Sequence, residues 1–505
     1  MPKHLLIDDH IIAESSGLTR TMHKPGNRRL VLKADRPSDG TDITTASAPM
    51  WIPEENRYRM IYEARGVPGR NKGMVGKAYG IAVSDDGLTW EKPDLGLVEF
   101  EGKPTNWYPT PGDYRLWHVV HDPDDEDDRR RYKGLLKLEG GHHPVTSPDG
   151  HHWEKVDTPL LPSGDAGTLT YDRERRRFMA LLKYQGEHGR AYNLSTSEDY
   201  VNWSALEHVF GTDGQDQLDA VDVIRKRIAN PSLAMPLLVE PDPSLGFTRP
   251  PDYPTPVWRA ECYNIGLFPY EDVYIGILMI FYPTGQSLPS KRNADGFHLL
   301  QLGMTRDLKT WHRLGNREPF IGPSPLTNGL VGNYDRLQLQ PTNQPIDMSD
   351  HLRFYYEGMK RRVPQHDIWT DGTPRDPFTL SPEEQADWLE DTHTGIYVRE
   401  LRKDGFVSLD ATSEGSLLTE PITVSGQQLL VNADASRGQI GVEILDVASH
   451  PIPGFAIGNG KPIEENGITL RVSWNGKDGI GALDGQSVRV RFHLTNARLY
   501  AFWTE

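Results

Sequence analysis

Ile81-Ala82-Val83-Ser84-Asp85-Asp86-Gly87-Leu88-Thr89-Trp90 is an apolar strand that runs into a turn and then an aromatic ring. Its ending returns as Ser147-Pro148-Asp149-Gly150-His151-His152-Trp153, as Ser197-Glu198-Asp199-Tyr200-Val201-Asn202-Trp203 and as Thr305-Arg306-Asp307-Leu308-Lys309-Thr310-Trp311. An altered copy runs from Ile396 to Lys403-Asp404-Gly405-Phe406, with Phe in place of Trp. Ahead of each copy stands a second apolar strand after a charged turn: Tyr58-Arg59-Met60-Ile61-Tyr62, Tyr132-Lys133-Gly134-Leu135-Leu136, Phe178-Met179-Ala180-Leu181-Leu182, Tyr274 to Met279, and Leu352-Arg353-Phe354-Tyr355-Tyr356. Asp and Gly in the turns supply local hydrogen bonds and positive φ, and the aromatic opens the next strand. Five copies of strand, strand, turn and aromatic predict five small antiparallel sheets. Packed radially, these make an all-β, five-bladed β-propeller with a central channel. One large sandwich with similar turns is the competing arrangement, and the strict alternation of the two halves favours the propeller.

After Asp410 the repeat stops. Leu429-Leu430-Val431-Asn432, Gly438 to Leu445, Leu470 to Trp474, Val488 to Leu494 and Ala497 to Phe502 alternate with period two between Gly and Asn turns, which predicts a β-sandwich. The expected domains are a propeller over residues 1–411, with a lead-in over 1–40, and a sandwich over 412–505. The proline run at 240–256 reads as an extended loop. Within 363–393, Ser381, Pro382 and Glu384 read as the capped start of a helix.

At 505 residues the chain exceeds one ordinary domain. Its net charge of −16 argues against a nucleic-acid partner, which requires clustered cations to release counterions. Twelve Trp and twenty Tyr beside 48 Gly and 39 Pro suit many short strands with rings free to stack on sugars. An oligosaccharide is the expected substrate, with no membrane partner and no cofactor, and a homo-oligomer is compatible with the sequence. The single cysteine, Cys262, forms no internal disulfide and fits a reducing compartment. The first residues contain no apolar run of signal-peptide length, so a cytoplasmic location is expected, although a leader removed beforehand would leave the same start. His142-His143 and His151-His152 do not suggest a metal, because adjacent residues on a strand face opposite ways.

The first strand of a propeller blade lines the channel, so acids ahead of each apolar strand are candidates for an axial pocket. The chain offers Asp39 and Asp42, then Asp122, Asp165, Glu261 and Asp335, one or two to a blade. Convergent carboxylates repel one another and raise at least one pKa, which suits a general acid. Glycosidic hydrolysis needs two carboxyl groups, one to protonate the leaving oxygen and one as nucleophile or as base for water. Glu261 is the expected proton donor. Trp51, Arg65, His121, Tyr263 and Arg336 lie near the strand starts and are expected to contact sugar, together with Asp39, Asp165 and Asp335.

The repeats, His121-Asp122-Pro123 and Ala260-Glu261-Cys262 resemble the five-bladed propeller glycoside hydrolases of families 32, 43 and 68, above all the fructosidase-type family 32. The resemblance covers residues 40–410, and that family often carries a C-terminal sandwich. It implies that Glu261 is the acid/base and Asp122 the transition-state stabiliser, in an exo-acting glycosidase for a terminal, furanosidic sugar of the fructosidase or arabinofuranosidase kind. His121 stands where the family has Arg, and the family's Asn-Asp-Pro-Asn-Gly-like nucleophile segment is absent. Asp42 is therefore taken as the third catalytic residue. A sialidase-like hydrolase and a non-catalytic carbohydrate-binding propeller are the rival readings.

Overall fold

The structure, a computed structural model, describes residues 3–67, 77–110, 115–230, 258–285, 295–325, 332–360, 382, 392–477 and 479–505. The proline run at 240–256 and the helix-start residues Ser381 and Glu384 lie outside the described residues. Among the described residues, the longer strands from Gly26 to Arg402 build five antiparallel blades.

Each blade is a meander whose innermost strand pairs with a long apolar second strand. The innermost strands are Asp42–Thr44 continuing to Met50–Ile52, then Arg115–His121, Gly167–Asp172, Glu261–Tyr270 and Gln338–Pro341. Their partners are Arg57–Arg65, Tyr132–Leu138, Arg177–Gly186, Val273–Gly285 and His351–Met359. The apolar strands visible in the sequence are thus second strands, and the channel-lining strands precede them. The outermost strand of the fifth blade comes from the other end of the chain: Gly26–Lys33 pairs with Thr394–Arg402 and closes the ring.

The repeated turns share one bonding scheme. Asp86 accepts from the backbone N–H groups of Leu88 and Thr89, both at 2.7 Å, and from Ser84 Oγ at 3.0 Å. Asp149, Asp199 and Asp307 accept in the same way from residues two and three further on, and from Ser147, Ser197 and Thr305. The next residue takes positive φ in all four turns, at Gly87, Gly150, Tyr200 and Leu308. These acids hold turns together and do not reach the axis.

One side chain spans the channel. Asn343, beyond the fifth blade's inner strand, accepts from Ala48 N–H of the first blade at 2.8 Å and donates to the Leu169 carbonyl of the third at 2.9 Å. Blades three and five are not neighbours in the ring, so these bonds cross the axis. Asn343→Leu is expected to cost about 1–3 kcal/mol for each backbone group left unsatisfied, read as a lower denaturant midpoint.

The sandwich is built around Ser487–Thr504. Along one edge this strand pairs with Val407–Thr419, and along the other with Gln439–Leu445 and then Leu429–Asp434. Trp474, Phe492 and Phe502 fill its core. The expected boundary at 411/412 falls inside one continuous strand, because Val407–Thr419 also pairs with Ile12–Ser16 and Thr19–Met22. His4–Leu5 pairs with Ala501 and Phe502. The lead-in therefore belongs to both units.

One helix was not anticipated from the sequence. Gly214–Ala229 is capped by Asp213, which accepts from Asp216 N–H, and Asp216 ties the helix to Arg313 and Arg317 of the fourth blade.

Candidate active site

The inner strands of neighbouring blades run the same way. Thr168 Oγ1 donates to Asn264 Oδ1 at 3.0 Å, and Thr170 Oγ1 to the Leu267 carbonyl at 2.5 Å, so the strands starting at Gly167 and Glu261 advance together. Val119 N–H donates to Ser47 Oγ at 2.8 Å, which aligns the first two blades. Asp42, Asp165 and Glu261 consequently stand at one end of the channel, each at or just ahead of the start of its strand.

At this end acids and cations pair within and between neighbouring blades. Glu63, on the second strand of blade one, is fully buried and receives Arg65 Nε at 2.6 Å, Arg115 Nε at 3.2 Å and Lys77 Nζ at 3.5 Å. Tyr79 also donates to it at 3.0 Å. Asp165, with 52% of its side chain exposed, accepts from Lys183 Nζ at 2.8 Å, and that ammonium lies 4.1 Å from the centre of the Tyr263 ring. Glu261 is 1% exposed and held between Arg190 and Arg259, the latter at 2.5 Å. The Gly186–Gly189 hairpin brings Arg190 close. Gly189 has φ of 103°, and a Cβ there would lie 2.7 Å from Glu261 Cδ, so only glycine fits.

Burial and charge divide these carboxyls into two groups. Against the cost of burying it, Arg65, Arg115 and Lys77 hold Glu63 at about 2. Despite its own desolvation, Asp165 is held at about 2 by Lys183 and Arg115. Burial instead pushes Asp42 up, against Thr41, Arg65 and the His393 N–H. Burial likewise lifts Glu357, which accepts from Thr44 Oγ1, to about 7, with Arg65 and Thr44 opposing and Asp42 and Glu63 assisting. The expected raised pKa is present at Asp42, where desolvation produces it rather than repulsion. His118 and His142, in edge contact at 5.9 Å, are driven down by burial, His118 to about 3.

These shifts set the stability profile. Glu63 titrates lower in the folded chain than its ordinary 4.5, so its contribution is present above that value and disappears as the pH falls from 4.5 to about 2. Glu357 titrates higher, so its contribution is full below 4.5 and is lost as the pH rises through about 7. Glu357→Gln is therefore expected to match the wild type at about pH 5 and exceed it at about pH 8 by up to roughly 3 kcal/mol, measured by urea denaturation at both pH values.

The eleven residues predicted from sequence separate in space. Asp42, Arg65, Asp165, Glu261 and Tyr263 come together at this end. Asp122 does not. It follows the last residue of its inner strand, at the end where Asp172 closes the inner strand of blade three, and Lys133 Nζ holds it at 2.8 Å. The Asp-Pro pair therefore belongs to the hairpin into the second strand and lies at the opposite mouth. His121 and Trp51 line that mouth too, in a cleft of about 740 Å³ with Tyr171, Phe268 and Asn343. His121 packs on Tyr132, and Trp51, 41% exposed, meets Tyr58 edge-on.

Asp39 and Asp335 are buried within their blades. Asp39 binds Lys92 at 2.5 Å and the Tyr62 hydroxyl at 2.8 Å. Asp335 takes Arg28 of the closing strand at 2.6 and 2.8 Å, and the Tyr356 hydroxyl at 2.8 Å. Arg336 is buried beside the helix, its carbonyl accepting from Arg227 at 2.5 Å. Sequence reasoning missed Glu63, Glu357, Arg115, Lys183 and Arg190. The available signal was a charge inside an apolar second strand, at Ile61-Tyr62-Glu63, Tyr355-Tyr356-Glu357 and Leu181-Leu182-Lys183.

No protein-family model matches the chain. No curated protein matches it either. Solved structures similar to it include a glycosyl hydrolase from Bacteroides ovatus, 13% identical over 79% of this chain and 96% of that one, with a TM-score of 0.40. A family 32 β-fructofuranosidase from Bombyx mori is 11% identical over 94% and 93%, with a TM-score of 0.38. A fructofuranosidase from Schwanniomyces occidentalis, complexed with fructosylnystose, is 8% identical over 95% and 98%, with a TM-score of 0.40.

Proposed function

We propose that the chain is a glycoside hydrolase that removes a terminal sugar from an oligosaccharide. The observation that carries this reading is the set of three carboxylates, Asp42, Asp165 and Glu261, at the same end of three inner strands. Two of them suffice for acid and nucleophile or base, and the third is left to bind hydroxyls. Asp42, raised by burial, and Glu357 beside it favour holding a proton on the blade-one side. Glu261 is fixed by two guanidiniums, and Asp165 replaces Asp122 as the third acid. Action at a chain end is supported by Asn343, whose bonds cross the axis on the side of the opposite mouth. The furanosidic expectation came with the Asp-Pro resemblance, and Asp122 lies at the other mouth, so ring form is not carried forward from it.

The test is turnover of a panel of aryl glycosides, furanosides and pyranosides of both anomers, by the purified wild type. Release of the aryl group from at least one member is expected. Saturable sugar binding with no turnover across the panel would replace this reading with that of a carbohydrate-binding propeller.

A further inference from the structure

The cleft at the opposite mouth takes no part in the chemistry proposed for the acids. Its volume of about 740 Å³ lies in the range of small-molecule sites. Arg115–His121 runs from one end of the channel to the other in seven residues, which sets the cleft roughly 20 Å from the acids. Rings from the first four blades line it, among them Trp51, His121, Tyr171 and Phe268. Trp51 is the one exposed tryptophan among the described residues, and it meets Tyr58 at 66°. The indole is thus fixed by a neighbour without being stacked on it. Tyr171 is fixed as well, parallel to Phe178 at 4.2 Å.

His121 supplies a second, independent observation. The residue is 8% exposed and its ring bonds the Trp51 backbone, yet Nδ1 is buried with no hydrogen-bond partner among the described residues. Leaving a buried polar atom unpaired is costly. A ligand hydroxyl satisfies that nitrogen in either tautomer, because it both donates and accepts. The charges of the cleft point to a neutral ligand. Four acids, Asp172, Glu174, Glu271 and Asp347, stand against Arg173, which disfavours an anion. A cation is disfavoured too, because Asp172 is bonded to Arg175, Glu271 to the Lys3 N–H and Asp347 to Lys403. Open ring surface beside a buried nitrogen that needs a hydroxyl matches a sugar, whose C–H face packs on the ring while its hydroxyls bond at the edge.

We infer that this cleft is a second carbohydrate site, for a neutral oligosaccharide, with the Trp51 ring as its stacking surface and His121 Nδ1 bonded to a hydroxyl. The site is a claim about binding alone and holds whether or not the acids at the other end hydrolyse a glycoside.

The experiment is calorimetric binding of neutral trisaccharides of glucose, mannose, galactose, xylose, arabinose and fructose to the wild type, Trp51→Ala, His121→Phe and Asp165→Asn. The apolar dye 8-anilinonaphthalene-1-sulfonate is titrated alongside them. At least one trisaccharide is expected to bind the wild type. Its affinity is expected to fall by about fivefold or more in Trp51→Ala. A loss of roughly threefold or more is expected in His121→Phe, which keeps a ring against Tyr132. In Asp165→Asn, changed at the other end, the affinity is expected to stay within about twofold of the wild type. For a trisaccharide that the wild type cleaves, Trp51→Ala is compared in the Asp165→Asn background. Trp51 is exposed, so Trp51→Ala serves if His121→Phe fails to fold. No binding of any trisaccharide, or a loss in Asp165→Asn with none in Trp51→Ala, would overturn the site. Binding of the dye without any sugar would make the cleft an apolar docking surface and overturn it equally. Trisaccharide binding lost in Trp51→Ala, from a chain that cleaves no glycoside, would keep this site and remove the enzyme.

Discussion

Exchange of Glu261 for glutamine is expected to lower kcat/KM on any glycoside the wild type cleaves by roughly 10²–10⁴, with the loss in kcat. The amide keeps the volume packed against Gly189 but can neither give nor take the proton that moves during glycosidic cleavage. The same exchange leaves Arg190 and Arg259 facing a neutral group inside the channel. Breaking a buried ion pair from one side costs about 3–5 kcal/mol, so the variant is also expected to melt earlier. The two effects separate by assaying well below the variant's melting temperature, with its far-UV spectrum confirming the fold. A folded variant with turnover within about threefold of the wild type would remove Glu261 from the chemistry.

Removal of residues 1–33 is expected to abolish folding. The deletion takes away the outer strand of blade five and three strands of the sandwich sheet. It strips Asp335 of both bonds to Arg28, whose guanidinium also lies 4.4 Å from the centre of the Tyr397 ring. It empties the sites of Leu5, Leu6 and Ile7, all buried. An unpaired Thr394–Arg402 edge invites pairing between chains. The expected readout is aggregated protein, or monomer without a cooperative thermal transition. A monomer melting within a few degrees of the full chain would show that the ring closes without this strand.

The blades were legible in the sequence because their turns are repeated chemically: an Asp that binds the N–H groups two and three residues on, a residue at positive φ directly after it, then a ring. The inner strands were harder to read. Leu116 to Val120 is short and interrupted by His118, so the apolar Tyr132–Leu138 after it looked like the first strand, and Asp122 was placed ahead of the blade instead of within its hairpin. In blade four Glu261 opens the inner strand Glu261–Tyr270, which precedes the conspicuous apolar run, so the same rule selected a residue at the start of an inner strand there. Glu63 and Glu357 escaped because a charge within an apolar strand carries no motif. Their significance comes from partners distant in sequence, Arg115 for Glu63 and Thr44 for Glu357.

Ring closure by the closing strand also dictates an order of events during synthesis. Gly26–Lys33 leaves the ribosome first, yet its partner strand begins at Thr394 and the sandwich strands that pair with the residues before it come later still. At about 5–20 residues per second, the leading segment waits roughly 20–70 s for that partner. Arg28 and Arg29 before Leu30-Val31-Leu32 and Lys33 after it place charges at both ends of the apolar stretch, which restrains pairing with other nascent chains in the interval. The blades can form one by one as they emerge, but the molecule becomes whole only when its beginning is captured by its end.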